Sequence, residues 1–358
     1  MILTLILGIV CVLINIIASY QKSDFGLKLS FFLIFLFLGL RYNFGNDYET
    51  YFDLFNKIKD NGDLAFDQSM YIFYEPGWMI LNWIFSPIGF FGMTFVLAFF
   101  YSFILYKLIK KYIPYQYYWL SVFLVIFNPG FLLVHSTAMR QTVAIIILLF
   151  SINYIQEKRF IPFIFCIIIA ASFHYTSLTF LVISPFLFEN KKINIFYSTI
   201  LFSIYIIFFT FGSILTPYFN QLVATLSERY ETYSDKGNAN SGLGFLYFSS
   251  LFLITLNLDK FQSKKIALFF KLAIVYFMLM PFTLIIEITS RIGMYFSPAV
   301  IIVYPFIIRT LKSNIIKSFF LPLIIFFTFF QFFQFFNSAT YKNYFMEYHT
   351  FFSAPKWN

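Results

Sequence analysis

An all-α, polytopic transmembrane helical bundle is the fold that the sequence predicts, and three observations predict it. The 358 residues are 60% hydrophobic and only 11% charged, with a mean hydropathy of +0.78, whereas soluble domains carry about 25% charged residues. Apolar runs of roughly 16 to 22 residues recur from end to end, long enough to cross about 30 Å of hydrocarbon at 1.5 Å per residue. Barrel strands would alternate polar and apolar residues, and these runs do not.

The runs and their breakers place spans at about 2–19, 27–40, 78–109, 114–134, 140–157, 160–187, 193–213, 243–258, 266–287, 293–308 and 316–336,. The N-terminal Met1-Ile2-Leu3-Thr4 lacks a basic leader and runs directly into the first span, which reads as retained,. Two runs are too long for one crossing. Ser86-Pro87-Ile88-Gly89 breaks the third into a short helix and a span,. The sequence Ser172-Phe173-His174-Tyr175-Thr176-Ser177 divides the 160–187 run into a hairpin of short helices. About 11 to 12 membrane segments result, in a single integral membrane domain covering 1–358. Cys11 and Cys166 both fall in apolar runs, which suggests neither a disulfide framework nor a thiolate metal site,.

Orientation follows from the basic residues of the short connections. Alternating the spans gathers sixteen of the 25 Lys and Arg residues on one side, among them Lys22, Lys28, Lys107, Lys110, Lys111, Lys158 and Arg159, against only Asp24, Glu157, Glu189 and Asp259. That side is expected to be cytosolic, leaving both termini and two hydrophilic loops, about 41–77 and 214–242, on the outer face. The net charge of +9 is thus a topology signal, and no basic stretch has the character of a nucleic-acid reader.

The polar residues at span ends fall on the outer side. They are Arg41, Asp47, Glu75, His135, Arg140, Gln141, Glu287 and Arg291, with His174 at the hairpin tip. Arginines in such positions suit a lipid-linked pyrophosphate, because a permanently charged guanidinium grips phosphate oxygens with a two-pronged fork. They equally suit interfacial snorkelling or, for Arg291, a pair with Glu287. Arg291 and Tyr295, four apart, share a helix face,. Asp47 and Glu75 are carboxylates able to take a proton from a sugar hydroxyl. Alternatively Asp47 is a turn residue after Gly45-Asn46, and Glu75 an N-cap for a helix opening at Pro76,. His174 is either a packing residue or a base. Asp53, Asp60, Asp63 and Asp67 read as solvated loop charges. There is no Walker loop, HExxH, dinucleotide glycine pattern, CxxC or paired Asp-rich motif, so no metal or cofactor is expected.

These motifs in order resemble the EpsG-type, Wzy-like branch of bacterial polysaccharide polymerases. They are Arg41 with Gly45-Asn46-Asp47-Tyr48 and Tyr51, Glu75-Pro76-Gly77-Trp78, Met139-Arg140-Gln141 followed by Lys158-Arg159, Phe173-His174-Tyr175-Thr176-Ser177-Leu178, and Arg291 to Tyr295. Asn46 stands where such proteins more often carry Thr. The resemblance implies glycosyl transfer on the outer face of the bacterial cytoplasmic membrane. The donor would be a glycan on undecaprenyl pyrophosphate, and the acceptor the non-reducing end of a second undecaprenyl-pyrophosphate-linked oligosaccharide repeat unit. It implies Asp47, Glu75 or His174 for proton handling, and Arg41, Arg140 and Arg291, with Tyr48, His135, Gln141 and Tyr295, for substrate and pyrophosphate. Membrane lipid, a chain-length regulator and a flippase are the expected partners. Competing readings are another polyprenyl-dependent glycosyltransferase, a glycan ligase, or a lipid-linked oligosaccharide transporter. A transporter would show internal repeats and charges near the midplane, whereas the polar groups here gather on one side and no repeat is evident.

Overall fold

The computed structural model describes residues 1–189, 195–226, 243–258, 264–284, 288–311 and 313–353. Among them six helices are long and apolar enough to cross a membrane, and six shorter apolar helices of 10–17 residues accompany them. The protein is a multi-pass, all-α membrane protein. Its chain divides into two compact units, the first comprising Met1–Phe150, Ser172–His174 and Tyr304–Asn358, the second Ser151–Ala171 and Tyr175–Val303.

In the first unit, α1 (Ile2–Tyr20) and α2 (Phe25–Gly39) form an antiparallel hairpin. The Asn15 side chain ties it by donating to the carbonyls of Cys11 (2.8 Å) and Gly26 (3.3 Å) and to the Ser30 hydroxyl (2.7 Å). Such a bond satisfies a polar group where lipid offers no partner. A two-residue strand β1 (Arg41–Tyr42) precedes α3 (Tyr48–Asp60), α4 (Pro76–Phe85), α5 (Phe90–Tyr112), α6 (Tyr118–Phe127), α7 (Leu133–Thr137) and α8 (Met139–Gln156). The break between α4 and α5 falls at the expected Pro-Gly turn, where Gly89 has φ +95°. That between α6 and α7 falls at Asn128-Pro129-Gly130, where Phe127 gives way to a non-helical turn.

The second unit contains the end of α8 from Ser151, then α9 (Phe160–Phe173), α10 (Thr179–Phe188), α11 (Ile195–Leu226), α12 (Leu243–Leu258), α13 (Lys264–Leu279), α14 (Ile288–Phe296) and α15 (Val300–Thr310), the last residues of α9 and α15 belonging to the first unit. The hairpin expected in the 160–187 run is present as α9 and α10 around a 3-10 turn at Tyr175–Leu178. Buried Lys271 donates to the carbonyls of Phe186 (2.7 Å) and Glu189 (2.6 Å), satisfying orphan acceptors at the end of α10.

The chain returns to the first unit with α16 (Asn314–Asn337), α17 (Lys342–Phe345) and a strand β2 (His349–Thr350), which pairs antiparallel with β1, Arg41 facing Thr350. The Met1 ammonium donates to the carbonyls of Phe345 (3.1 Å) and Met346 (3.2 Å). At the other end of α1 and α2, Asp24 accepts from Lys110 (2.5 Å) and pairs with Lys28 (3.0 Å). The first unit therefore has two chemically distinct ends. One gathers both terminal segments, residues 41–48 and the start of α5; the other gathers lysines.

The hydrophilic stretch 41–77 is itself largely helical. Tyr48, Tyr51, Leu54, Phe55 and Ile58 recur at helical spacing and are buried. Their face packs with Trp78, Met79, Phe90 and Met93 in one apolar cluster. Asp53, Asp60, Asp63 and Asp67 are exposed, as expected for solvated charges.

Candidate active site

Residues 43–47 make a tight turn that only certain side chains allow. Asn43 has φ 44° and Gly45 φ 136°, a backbone state open to glycine and closed to most L residues. A Cβ at Gly45 would also lie 3.0 Å from the Thr137 hydroxyl. That hydroxyl organises the turn, accepting from the Asp47 amide (3.0 Å) and donating to the Asn46 side-chain oxygen (2.8 Å). The Gly45 amide donates to Tyr344 O (3.3 Å). Asp47 is thus fixed at the start of α3, where its side chain makes no capping bond. Asn46, noted above as the departure from the usual Thr, supplies the oxygen that engages Thr137.

Arg41 is 4% exposed. It donates through Nη1 to Leu38 O and through Nη2 to Ser136 O (3.0 Å). No ion pair from it is present among the described residues, and burial opposes its charged form,. It borders a cavity of about 30 Å³ shared with Leu38, Tyr101, Ser136 and Met139, space for about one or two waters and too small for a pyrophosphate. Tyr48 is buried and donates to Arg41 O (3.3 Å). Arg41 and Tyr48 therefore tie the end of α2 to α3 and α7.

Arg140 stands in a different environment. It opens α8, and its Nη1 donates to Glu75 Oε2 at 2.5 Å, the Glu75 side chain being 1% exposed and that of Arg140 19%. The Nε reaches the Tyr51 hydroxyl at 3.5 Å. The guanidinium carbon lies 5.9 Å from the Tyr51 ring centre and 5.5 Å from that of Tyr74, within cation–π range. Nη2 makes no bond among the described residues. Glu75 occupies the N-cap position of α4, with Pro76 at the first turn as anticipated, yet its side chain makes no capping bond; it turns to Arg140. Burial pushes the Tyr51 phenol up, Arg140 draws it down, and Asp47 and Glu75 push it up again, so Arg140, Asp47 and Glu75 all act on Tyr51.

His174 is buried. Its segment is held against α4 by a close backbone approach, for a Cβ on Gly77 would lie 2.4 Å from Ser172 Oγ and 2.7 Å from Ser172 O. Phe173 packs on the cluster that contains Trp78 and Tyr51. Gln141 is buried beside Arg140. The backbone of His135 lies in α7, and its side chain lies outside the described residues, as does Glu287. Arg291 and Tyr295 belong to the second unit, both on α14, Arg291 half-buried and Tyr295 buried. The Tyr295 and Thr176 hydroxyls share a hydrogen bond of 3.1 Å.

Within the first unit, then, the fold gathers Asp47, Glu75, Arg140 and the His174 segment from positions 127 residues apart in the chain at the extremes. Residues 27–350 match the family model described as EpsG family. The chain belongs to the EpsG family. No curated protein and no solved structure matches it. In this EpsG-family protein, Tyr51, Tyr74 and Thr137 also shape the site and were not among the expected site residues. Each had a faint signal, since Tyr51 lies four residues after Asp47, Tyr74 next to Glu75 and Thr137 three before Arg140.

Proposed function

We propose that this protein joins lipid-linked oligosaccharide repeat units on the outer face of the bacterial cytoplasmic membrane. A glycan on undecaprenyl pyrophosphate is the donor, and the non-reducing end of a second undecaprenyl-pyrophosphate-linked repeat unit is the acceptor. Family membership supports a polysaccharide polymerase-type role. The observation that carries the finer reading is the Arg140 guanidinium, held by Glu75 and two tyrosine rings with no bond from Nη2 among the described residues.

In the reaction, the acceptor hydroxyl oxygen bonds to the anomeric carbon while the bond from that carbon to the pyrophosphate oxygen breaks. The pyrophosphate departs with the bonding electrons, and the hydroxyl proton passes to a carboxylate. Arg140 meets the developing charge, and a preorganised donor of this kind contributes on the order of 10²- to 10³-fold in rate. Asp47, fixed by its amide and adjacent to Tyr51, is the proposed base; Glu75, bound to Arg140, orients it. His174 and, from the second unit, Arg291 with Tyr295 are further proposed substrate contacts. The reading needs no metal.

The split between a lysine end and an Asp47–Glu75–Arg140 end of the first unit supports an outward site with both termini on that side,. A flippase and a chain-length regulator are proposed partners. The test is purified protein in vesicles given a synthetic undecaprenyl-pyrophosphate repeat unit. A ladder of longer glycans is expected; passage of the substrate across the bilayer with no ladder would overturn the reading in favour of a transporter.

A further inference from the structure

Away from that site, an apolar groove of about 340 Å³ runs between α2 and α5 of the first unit, lined by Lys28, Phe31, Phe32, Phe35, Phe99, Ser102, Phe103 and Tyr106. On α2 the lining residues Lys28, Phe31, Phe32 and Phe35 fall at i, i+3, i+4 and i+7, one helical face with a lysine at its mouth and phenylalanines below. On α5 the face through Phe99, Ser102, Phe103 and Tyr106 continues into Lys107 and Lys110. Lys107 lies 5.3 Å from the Phe103 ring centre and Lys110 5.7 Å from that of Tyr106. Lys28 and Lys110 share a single carboxylate, Asp24, and Lys107 pairs with none among the described residues, so the mouth keeps an excess of positive charge. From Lys28 to Phe35 the groove is about 10 Å deep at 1.5 Å per residue, within one leaflet of a core about 30 Å thick.

One feature of the wall is polar. Ser102 is 3% exposed, and its hydroxyl has no partner among the described residues. It lies five residues before Lys107, about 7 Å deeper along the helix. We propose that this groove binds an anionic phospholipid of the lysine-side leaflet. The phosphate sits among Lys28, Lys107 and Lys110, a glycerol ester carbonyl accepts from Ser102, and the acyl chain lies against Phe35, Phe99 and Phe103. A polyprenyl phosphate offers the charge and the apolar chain but no ester carbonyl at the depth of Ser102, and a zwitterionic phospholipid offers the ester without net charge. Basic residues at a membrane surface favour anionic lipid by about fivefold each.

The test uses the full protein in phosphatidylethanolamine vesicles doped with phosphatidylglycerol or phosphatidylcholine bearing a photoreactive group on the acyl chain. Labelling by the phosphatidylglycerol probe is expected in the peptides containing Phe31–Phe35 and Phe99–Phe103, well above that by phosphatidylcholine. Lys28→Gln and Lys107→Gln should each lower it about fivefold while leaving phosphatidylcholine labelling unchanged, which also reports that the groove is intact. Ser102→Ala, which leaves the charge untouched, should lower it roughly threefold, the worth of one hydrogen bond. Equal labelling by the two probes, insensitivity to the lysine substitutions, or displacement by undecaprenyl phosphate more readily than by unlabelled phosphatidylglycerol would overturn the proposal.

Discussion

Arg41 and Arg140 both sit at the end of an apolar run, in the same unit and at the same end of it, yet their surroundings differ in kind. Arg41 is enclosed and directs its fork onto two backbone carbonyls. Arg140 is one-fifth exposed, neutralised by a buried carboxylate and flanked by aromatic faces, with no bond from Nη2 among the described residues. A guanidinium can fasten backbone or receive a ligand, and what distinguishes the two is whether any donor remains in reach of an incoming oxygen. Arg41 therefore fastens backbone, and Arg140 is the arginine that the proposed chemistry would use.

Removing Arg140 should have the largest effect. Arg140→Ala deletes the proposed phosphate contact, for an expected loss of elongation on the order of 10²- to 10³-fold, and takes the ion pair from buried Glu75 at a stability cost of about 3–5 kcal/mol. Pairing it with Glu75→Gln should recover most of the thermal stability and none of the ladder. Recovery of both in the double variant would reduce the pair to a structural strut.

Arg41→Met should show the converse. It strands the Leu38 and Ser136 carbonyls, costing about 1–3 kcal/mol for each buried group, visible as a lower melting temperature or folded yield. The fraction that folds should keep its KM for the lipid-linked donor. A raised KM at normal stability would reverse the assignments of the two arginines.

Gly77→Ala places a methyl group against Ser172 backbone; such overpacking costs about 1–3 kcal/mol. Because it displaces the segment leading to His174, it should reduce turnover as well, whereas Gly89→Ala, with open space around it but φ +95°, should affect stability alone. Smaller still, Tyr74→Leu removes one of the rings beside Arg140, about 0.5–2 kcal/mol. It should weaken donor binding a few-fold in a ladder assay run at limiting substrate. Chelation of divalent ions should leave elongation unchanged, and a loss restored by added magnesium would show that arginine alone does not meet the leaving group.

Much of this was legible in the chain. Composition and run lengths dictate a helical membrane bundle, and the Pro-Gly turn that splits the 78–109 run and the polar 172–177 segment that splits the 160–187 run stand where the helices break. The residues that meet at Arg140 were recognisable as types. Their pairing was not, because Glu75 and Arg140 lie 65 residues apart and no local spacing links them. The enclosure of Arg41 was equally hidden, since its partners are backbone carbonyls, which every residue carries. The stretch 41–77 read as a hydrophilic loop because the charges on one face of α3 mask the spacing of Tyr48, Tyr51, Leu54, Phe55 and Ile58 on the other. The pairing of β1 with β2 joins residues at opposite ends of the chain, and two-residue strands leave no periodicity to read.

The most direct measurement is equilibrium binding of an undecaprenyl-pyrophosphate-linked repeat unit to folded wild-type, Arg41→Met and Arg140→Gln protein in vesicles. Arg140→Gln is expected to weaken binding by about tenfold or more, as fits the loss of a charged hydrogen bond, and Arg41→Met to leave it within about twofold. Equal weakening in both variants, or weakening in Arg41→Met alone, would contradict the division between a fastening and a ligand-facing arginine.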